Sequence, residues 1–425
     1  MAELMRKPGA RLLLHLAIVV AVFVLMMVVN DHVDPLMNYY IALAAMYATA
    51  MFGMVILVGL SGQVSLGNGA LMAIGGYIFA LTSMNWQTVP ILGLPWNGWW
   101  SMVFAGIGGI VFGLLIGGLG ARLTGPYLAG LTLGIAVGIP AIANRFPALF
   151  GGENGLTLTV PYPEGGYAAV DAGTDYVDPS LAASSAPVAS AFPSQAASVA
   201  PGDLLTASNF PSAGASSGDL LTASNFPSPG VSASAVPDLG GTDVSGGTGD
   251  NGFVIEHWQA SLAVLVACIV AFMALNLVRG RQGNVWRAVR DDPVAAAVSG
   301  ISPSTAKVTA FVISSLFAAL AGGVFAQILA YVGPGAFGLG LSLSLLVGVV
   351  LGGRSSLFGA VIGAVLLVWL PEFVLNLSND RGWSEQITNN APNLIYGLLV
   401  VLVVLVAPGG IVGSVQSLIA KVTKR

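Results

Sequence analysis

Long apolar runs separated by short polar segments dominate this chain of 425 residues. Ten of them are candidate spans, and several approach the ~20 apolar residues that an α-helix needs to cross a bilayer. They lie near residues 12–29, 39–60, 66–84, 100–119, 125–143, 258–278, 304–331, 340–353, 357–376 and 392–408. Only 8% of the residues are charged and the mean hydropathy is +0.84, which excludes an ordinary soluble domain. We therefore predict an all-α polytopic membrane protein with about 8–10 transmembrane helices. Two of the runs are weaker: 66–84 is Gly-rich and 340–353 is short. Each could cross the membrane fully or be broken or re-entrant.

Lysine and arginine residues predict the orientation of the chain in the membrane. Ten alternating crossings place five cationic groups on one side, which the positive-inside rule assigns to the cytoplasm. These groups are Arg6, Lys7 and Arg11; Arg122; the arginines of 279–290; Arg354; and Lys421, Lys424 and Arg425. Both termini are then cytoplasmic. Arg145 and Arg381 are single exceptions on the outer side.

A polar insert divides the chain into three predicted regions. Helices of 1–164 and 253–425 flank residues 165–252, which are rich in Ala, Ser, Gly, Pro and Asp. The sequence GDLLTASNFPS occurs at 202–212 and again, letter for letter, at 218–228. This composition predicts a disordered segment outside the membrane. An interaction arm and a tolerated loop expansion are both compatible with it.

A cationic segment, 279–303, lies between the sixth and seventh apolar runs. Its arginines are Arg279, Arg281, Arg287 and Arg290. The second half of the segment predicts a short helix that Asp291 or Asp292 caps, with Pro293 in its first turn. Ala295 and Ala296 continue this helix, and Gly300 can end it. A capped helix at the cytoplasmic face suits docking by a soluble partner.

Two interpretations of the arginines remain open. Arg279 and Arg281 suit the positive-inside rule alone. Arg287 and Arg290 could serve the same role, or could contact acidic groups of a partner or anionic lipid headgroups.

A second distinctive stretch is GLSGQVSLGNGALMAIGGY, residues 59–77. Its glycines permit non-helical backbone and close helix packing. Its polar side chains, Ser61, Gln63, Ser65 and Asn68, predict either a lining of a transport pathway or simple helix packing.

These two stretches resemble the branched-chain amino acid ABC transporter permeases, particularly the LivM-type subunit. The resemblance extends to GPYLAGLTLGIA at 125–136, GGRSSLFGAVIGAVLL at 352–367 and YGLLVVLVVLVAPGGIVG at 396–413. Three features depart from the family pattern. Asn68 stands where many members have His, Ala297 stands where many have an acidic residue, and the insert is additional.

The resemblance implies one subunit of an importer in a bacterial inner membrane. A second permease subunit, two cytoplasmic ATPase subunits and an extracytoplasmic binding protein would complete it. No phosphate-binding GxxxxGK[ST] motif occurs in the chain, so ATP would bind the partner subunits. We expect this chain to be no enzyme and to bind no cofactor, metal or nucleic acid, with membrane lipid around it.

The sequence leaves alternatives open for the cargo and for the class of protein. Permeases for urea or short-chain amides resemble the same family, so the cargo stays open. An ion-coupled secondary transporter would need ionisable groups within its helices, which are scarce here. A passive channel would need no docking helix, and a purely structural subunit would leave the polar Gly-rich stretch without a role.

Overall fold

The computed structural model describes residues 8–85, 98–120, 126–158 and 254–381, and the positions 395, 397, 398, 405 and 410–414. All of them belong to one compact unit, Met1–Pro163 with Asn225–Arg425. The predicted insert and most of the tenth predicted span lie outside the described residues, so the division into three regions stays a prediction.

The described part of the chain is almost entirely helical. Its helices are α1 (Pro8–Asn30), α2 (Pro35–Met54), α3 (Asn68–Asn85), α4 (Gly98–Gly120), α5 (Pro126–Arg145), α6 (Pro147–Phe150), α7 (Val254–Arg279), α8 (Arg281–Asp291), α9 (Pro293–Val298), α10 (Pro303–Leu329), α11 (Leu339–Gly352) and α12 (Leu357–Asp380). Short 3-10 turns occur at Gly152–Asn154 and Pro334–Phe337.

Eight helical segments in this part of the chain are long and apolar enough to cross a membrane. They are α1, α2 with the turn that follows it, α4, α5, α7, α10, α11 with the 3-10 turn before it, and α12. The prediction of an all-α polytopic membrane protein is therefore confirmed. The third predicted span forms α3 but is not among the eight, because its asparagines and glycines lower its hydropathy.

The core of the bundle is formed by α2, α3 and α10. Helix α10 packs against α4, α3 and α2, while α7 and α12 pack against α2 and α1 lies outside on α7. The backbones of α3 and α10 nearly touch: a Cβ atom at Gly75 would lie 2.0 Å from the carbonyl oxygen of Ala319. A Cβ atom at Gly322 would lie 1.9 Å from the carbonyl oxygen of Met72. Glycines thus set the spacing of the two central helices.

One end of the bundle is closed by a short antiparallel β-sheet. Strand β1 (Leu156–Thr157) pairs with β2 (Tyr331–Val332), and the Leu158 N–H donates to the carbonyl of Ala330 at 2.8 Å. This pairing joins the segment after α5 to the end of α10. The opposite ends of α5 and α10 lie near the loop between α2 and α3. They also lie near helices α8 and α9.

The chain leaves helical geometry between α2 and α3. A π-helical turn, Val55–Leu60, follows α2, and residues 61–67 are irregular. Gly62 has φ +70°, a conformation that strongly favours glycine. Residues 61–67 of the polar Gly-rich stretch therefore form a partly buried, non-helical loop. We call it the pathway loop, after the prediction from the sequence that polar side chains of this stretch line a pathway.

Candidate functional site

The cationic segment forms two helices where the sequence analysis predicted only the second. Helix α8 was missed, although Gly283, Trp286 and Val289 recur at helical spacing and form its buried face. The Trp286 indole is fully buried, and its N–H donates to the Thr309 hydroxyl at 3.2 Å. Helix α8 is thereby held against α10.

Helix α9 has a well-defined start and end. The carboxylate of Asp292 accepts the N–H groups of Val294 and Ala295 at 2.9 and 3.0 Å. Pro293 is its first residue, and Gly300 follows its end with φ +81°. The sequence left the cap open between two aspartates. Asp292 is the cap, whereas Asp291 is the last residue of α8.

The two faces of α9 differ sharply. Ala296 is buried, whereas Ala295 is exposed. Val294 and Val298, which are one helical turn apart, are 72% and 87% exposed. Helix α9 therefore presents aliphatic side chains away from the bundle, next to the arginine-rich helix α8.

Arg287 and Arg290 each donate a hydrogen bond to a backbone carbonyl of the same chain. Arg290 donates from Nη1 to the carbonyl of Gly59 at 2.7 Å, and from Nε and Nη2 to Asp291 at 2.9 and 2.8 Å. Arg287 donates to the carbonyl of Val278 at 3.0 Å. The sequence analysis did not foresee these contacts, because a carbonyl acceptor leaves no signal in the sequence.

Arg279 connects two helices. Its Nη1 lies 3.0 Å from Nε2 of His15, and Nδ1 of His15 lies 2.9 Å from the Asn276 side-chain oxygen. The His15 ring therefore contacts the Arg279 guanidinium through one nitrogen and the Asn276 amide through the other. This network attaches α1 to α7.

The first half of the pathway loop contacts the start of α10. The Gln63 amide nitrogen donates to the Ser61 hydroxyl and, at 3.1 Å, to the carbonyl of Lys307. Ser61 and Gln63 are both buried.

The second half of the pathway loop contacts α5, and the start of α3 contacts α11. The Leu66 N–H donates to Thr132 at 3.0 Å, and the Gly69 N–H donates to Ser342 at 2.9 Å. Ser65 and Asn68 are fully buried here. Neither amide atom of Asn68 has a hydrogen-bond partner among the described residues. The four predicted pathway residues thus divide into two pairs with different surroundings.

A cavity of about 440 Å³ lies between the pathway loop and the two short helices. Its described lining residues are Ser61, Gly62, Gln63, Val64, Leu128, Ala129, Val289, Arg290, Pro293 and Lys307. We call it the cationic cavity, since this lining includes an arginine and a lysine and no carboxylate. No group of metal-ligating side chains occurs among the described residues.

The helical bundle defines a polytopic α-helical membrane protein. Residues 36–407 match the family described as "Branched-chain amino acid transport system / permease component". The chain belongs to this family of ABC importer permeases, and it is a transport component rather than an enzyme. No solved structure matches it at a significant level.

Two kinds of curated relatives resemble the chain. The high-affinity branched-chain amino acid transport system permease protein LivM of Escherichia coli K12 is 27% identical over 376 residues, 87% of this chain and 68% of the relative. LivM of Salmonella typhimurium is 27% identical over 372 residues, covering 86% and 67%. The autoinducer 2 import system permease protein LsrC of Escherichia coli O9:H4 is 32% identical over 156 residues, covering 35% and 43%.

Proposed function

We propose that the chain is the membrane-spanning permease subunit of an ATP-driven importer for branched-chain amino acids. It would work with a second permease subunit, two cytoplasmic ATPase subunits that bind the ATP, and an extracytoplasmic substrate-binding protein. The similarity to LivM extends over most of both chains, whereas the similarity to LsrC covers about a third of this one. That difference favours an amino acid over the autoinducer as cargo.

The outward face of α9 carries this proposal. Val294 and Val298 are exposed aliphatic residues one helical turn apart, and we take them as the surface that an ATPase subunit would cover. Asp292 fixes the start of the helix, so this face is preorganised for a partner. An ATPase subunit is the cytoplasmic partner that an importer permease requires.

The direct contact between α8 and the pathway loop supports a mechanism of transmission. Closure of the ATPase pair would displace α9 and, with it, α8. The hydrogen bond from Arg290 to Gly59 would pass this displacement to the end of α2 and to the pathway loop. Rigid-body motion of packed helices would then open the pathway to alternate sides.

The cargo would be selected mainly outside this chain. Leucine, isoleucine and valine carry an ammonium and a carboxylate, and the apolar spans offer few fixed charges to bind them. Delivery by a binding protein fits such a pathway. Urea or a short-chain amide is the alternative cargo within the same family.

The orientation is part of the proposal. Helices α8 and α9 and both termini would face the cytoplasm of a bacterium, and the insert 165–252 would face outward. A cysteine in place of Val298, in a Cys268→Ser background, should react with an impermeant maleimide only from the cytoplasmic side. Labelling from outside would contradict this topology.

The test of the function is uptake by proteoliposomes that contain the complete transporter. We expect ATP-dependent accumulation of leucine, isoleucine and valine and none of urea. Val298→Asp should abolish this uptake and the co-purification of the ATPase subunits, because a carboxylate would be desolvated in the apolar contact. Gln282→Glu, an exposed substitution on α8, is the matched control and should leave both unchanged. Normal uptake by Val298→Asp would exclude α9 as the docking helix, and ATP-independent accumulation would exclude an ATP-driven importer.

A further inference from the structure

The cationic cavity has the size and lining of a small-molecule site. Its volume of about 440 Å³ falls in the ~300–1,000 Å³ range typical of ligand sites. Val64, Leu128 and Val289 supply apolar walls, while Ser61 and Gln63 supply a few polar groups. Four separate parts of the chain meet here, so the cavity depends on the tertiary fold rather than on one local motif.

The charges on the described lining residues of the cavity are not balanced. Arg290 is paired with Asp291, and it also donates to the carbonyl of Gly59. Lys307 is half-buried and has no ion pair among the described residues. A half-buried ammonium without a counter-ion attracts an anion more strongly than an exposed one, because the surrounding water screens it less.

The side-chain amide of Gln63 complements this charge. Its nitrogen is used in hydrogen bonds to Ser61 and to the carbonyl of Lys307, which leaves its oxygen as an acceptor. The cavity thus combines a cation for a carboxylate, an acceptor for an ammonium and apolar walls for an aliphatic side chain.

We infer that the cationic cavity binds the carboxylate of a small apolar amino acid, with Lys307 as its charged partner. In the proposed importer, this is the last site that the amino acid occupies before release. The inference rests on the proposed function for the identity of the ligand. The site itself is defined by the residues that line the cavity.

The test uses the complete transporter in nanodiscs of neutral phosphatidylcholine, without ATP and without binding protein. We expect saturable binding of radiolabelled leucine. The carboxylate 4-methylpentanoate should displace it, whereas 3-methylbutylamine, which lacks the carboxylate, should not. Equal displacement by the amine would overturn the inference.

Substitutions inside and outside the cationic cavity test whether leucine binds there. Lys307→Gln should weaken leucine binding about tenfold or more, while Lys307→Arg should keep it within about threefold. Arg281→Gln, which removes an exposed cation outside the cavity, should change nothing. Unchanged affinity in Lys307→Gln would overturn the inference. The backbone carbonyl that Gln63 uses is present in every variant, so loss of that contact cannot explain a difference.

A lipid headgroup is the other source of an anion at a membrane surface. If leucine does not bind in neutral nanodiscs, and Lys307 instead retains added phosphatidylglycerol, the cavity is a lipid site and the inference is wrong. ATP-driven leucine uptake by the same purified transporter, reconstituted into proteoliposomes, separates the two proposals. If leucine is taken up but its binding does not depend on Lys307, the proposed binding site is wrong and the proposed function stands. A lack of uptake would count against the proposed function.

Discussion

Arg290 donates a hydrogen bond of 2.7 Å to the carbonyl oxygen of Gly59, 231 positions earlier in the chain. Gly59 lies in the π-helical turn after α2, close to the helix end, where the last carbonyl groups have no partner within the helix. The contact joins a helix of the cationic segment to the most buried helix of the bundle. It links the turn before the pathway loop to α8, which directly precedes the helix where we propose that the ATPase docks.

Gly62 gives a test of the fit between Arg290 and the pathway loop. A Cβ atom at this position would lie 2.7 Å from Cγ of Arg290, and the φ of +70° disfavours any other residue. We expect Gly62→Ala to destabilise the protein by about 1–3 kcal/mol and to lower uptake. Gly130→Ala is the control, since nothing lies within 4 Å of its added Cβ. Equal melting temperatures for the two variants would contradict the geometry of the loop.

Asn68 separates stability from function. Its buried amide has no hydrogen-bond partner among the described residues, so Asn68→Leu should raise the melting temperature of the purified chain by removing an unsatisfied group. If Asn68 also lines the pathway, the same variant should reduce leucine uptake.

Ser314→Ala provides the comparison for Asn68. The Ser314 hydroxyl is also buried without a hydrogen-bond partner in the described part of the chain, but it lies within α10. We expect this variant to change uptake by less than about twofold, whereas Asn68→Leu should change it by about fivefold or more. Normal uptake by Asn68→Leu would leave Asn68 with a packing role only.

Trp286 should be the main attachment of α8. Because this side chain is fully buried, Trp286→Ala should cost about 3–5 kcal/mol and separate α8 from α10. Unfolding of the purified chain can be followed with a thiol-reactive dye, since its single cysteine, Cys268, is buried. Thr309→Val, which removes only the partner of the indole N–H, should cost about 1 kcal/mol. Similar melting temperatures for the two variants would contradict this role for Trp286.

The helices of this protein were predictable because a membrane imposes one strong rule. A backbone that crosses hydrocarbon must satisfy its own hydrogen bonds, so long apolar runs become helices. The cap of α9 was also visible, because Asp and Pro at a helix start have local physical causes. Helix α8 was missed, because its many charged and polar residues hide a buried face of only three residues, Gly283, Trp286 and Val289.

The site was only partly predictable. The sequence predicted one role for Ser61, Gln63, Ser65 and Asn68. In the fold, Ser61 and Gln63 line the cationic cavity, whereas Ser65 and Asn68 are not among its described lining residues. Lys307 was not predicted as a site residue, because a lysine at the start of an apolar helix is common at a membrane surface. Its place in the cavity follows from how α10 meets the pathway loop, which no local pattern encodes.

The most direct test of the central claim is the number of leucine molecules imported per ATP hydrolysed, measured on the reconstituted transporter carrying Arg290→Ala. If Arg290 transmits the motion of the ATPase, leucine uptake should fall about tenfold or more while ATP hydrolysis stays within about twofold. Arg281→Ala on the same helix should keep both rates. A wild-type ratio in Arg290→Ala, or a parallel loss of hydrolysis and uptake, would contradict the claim.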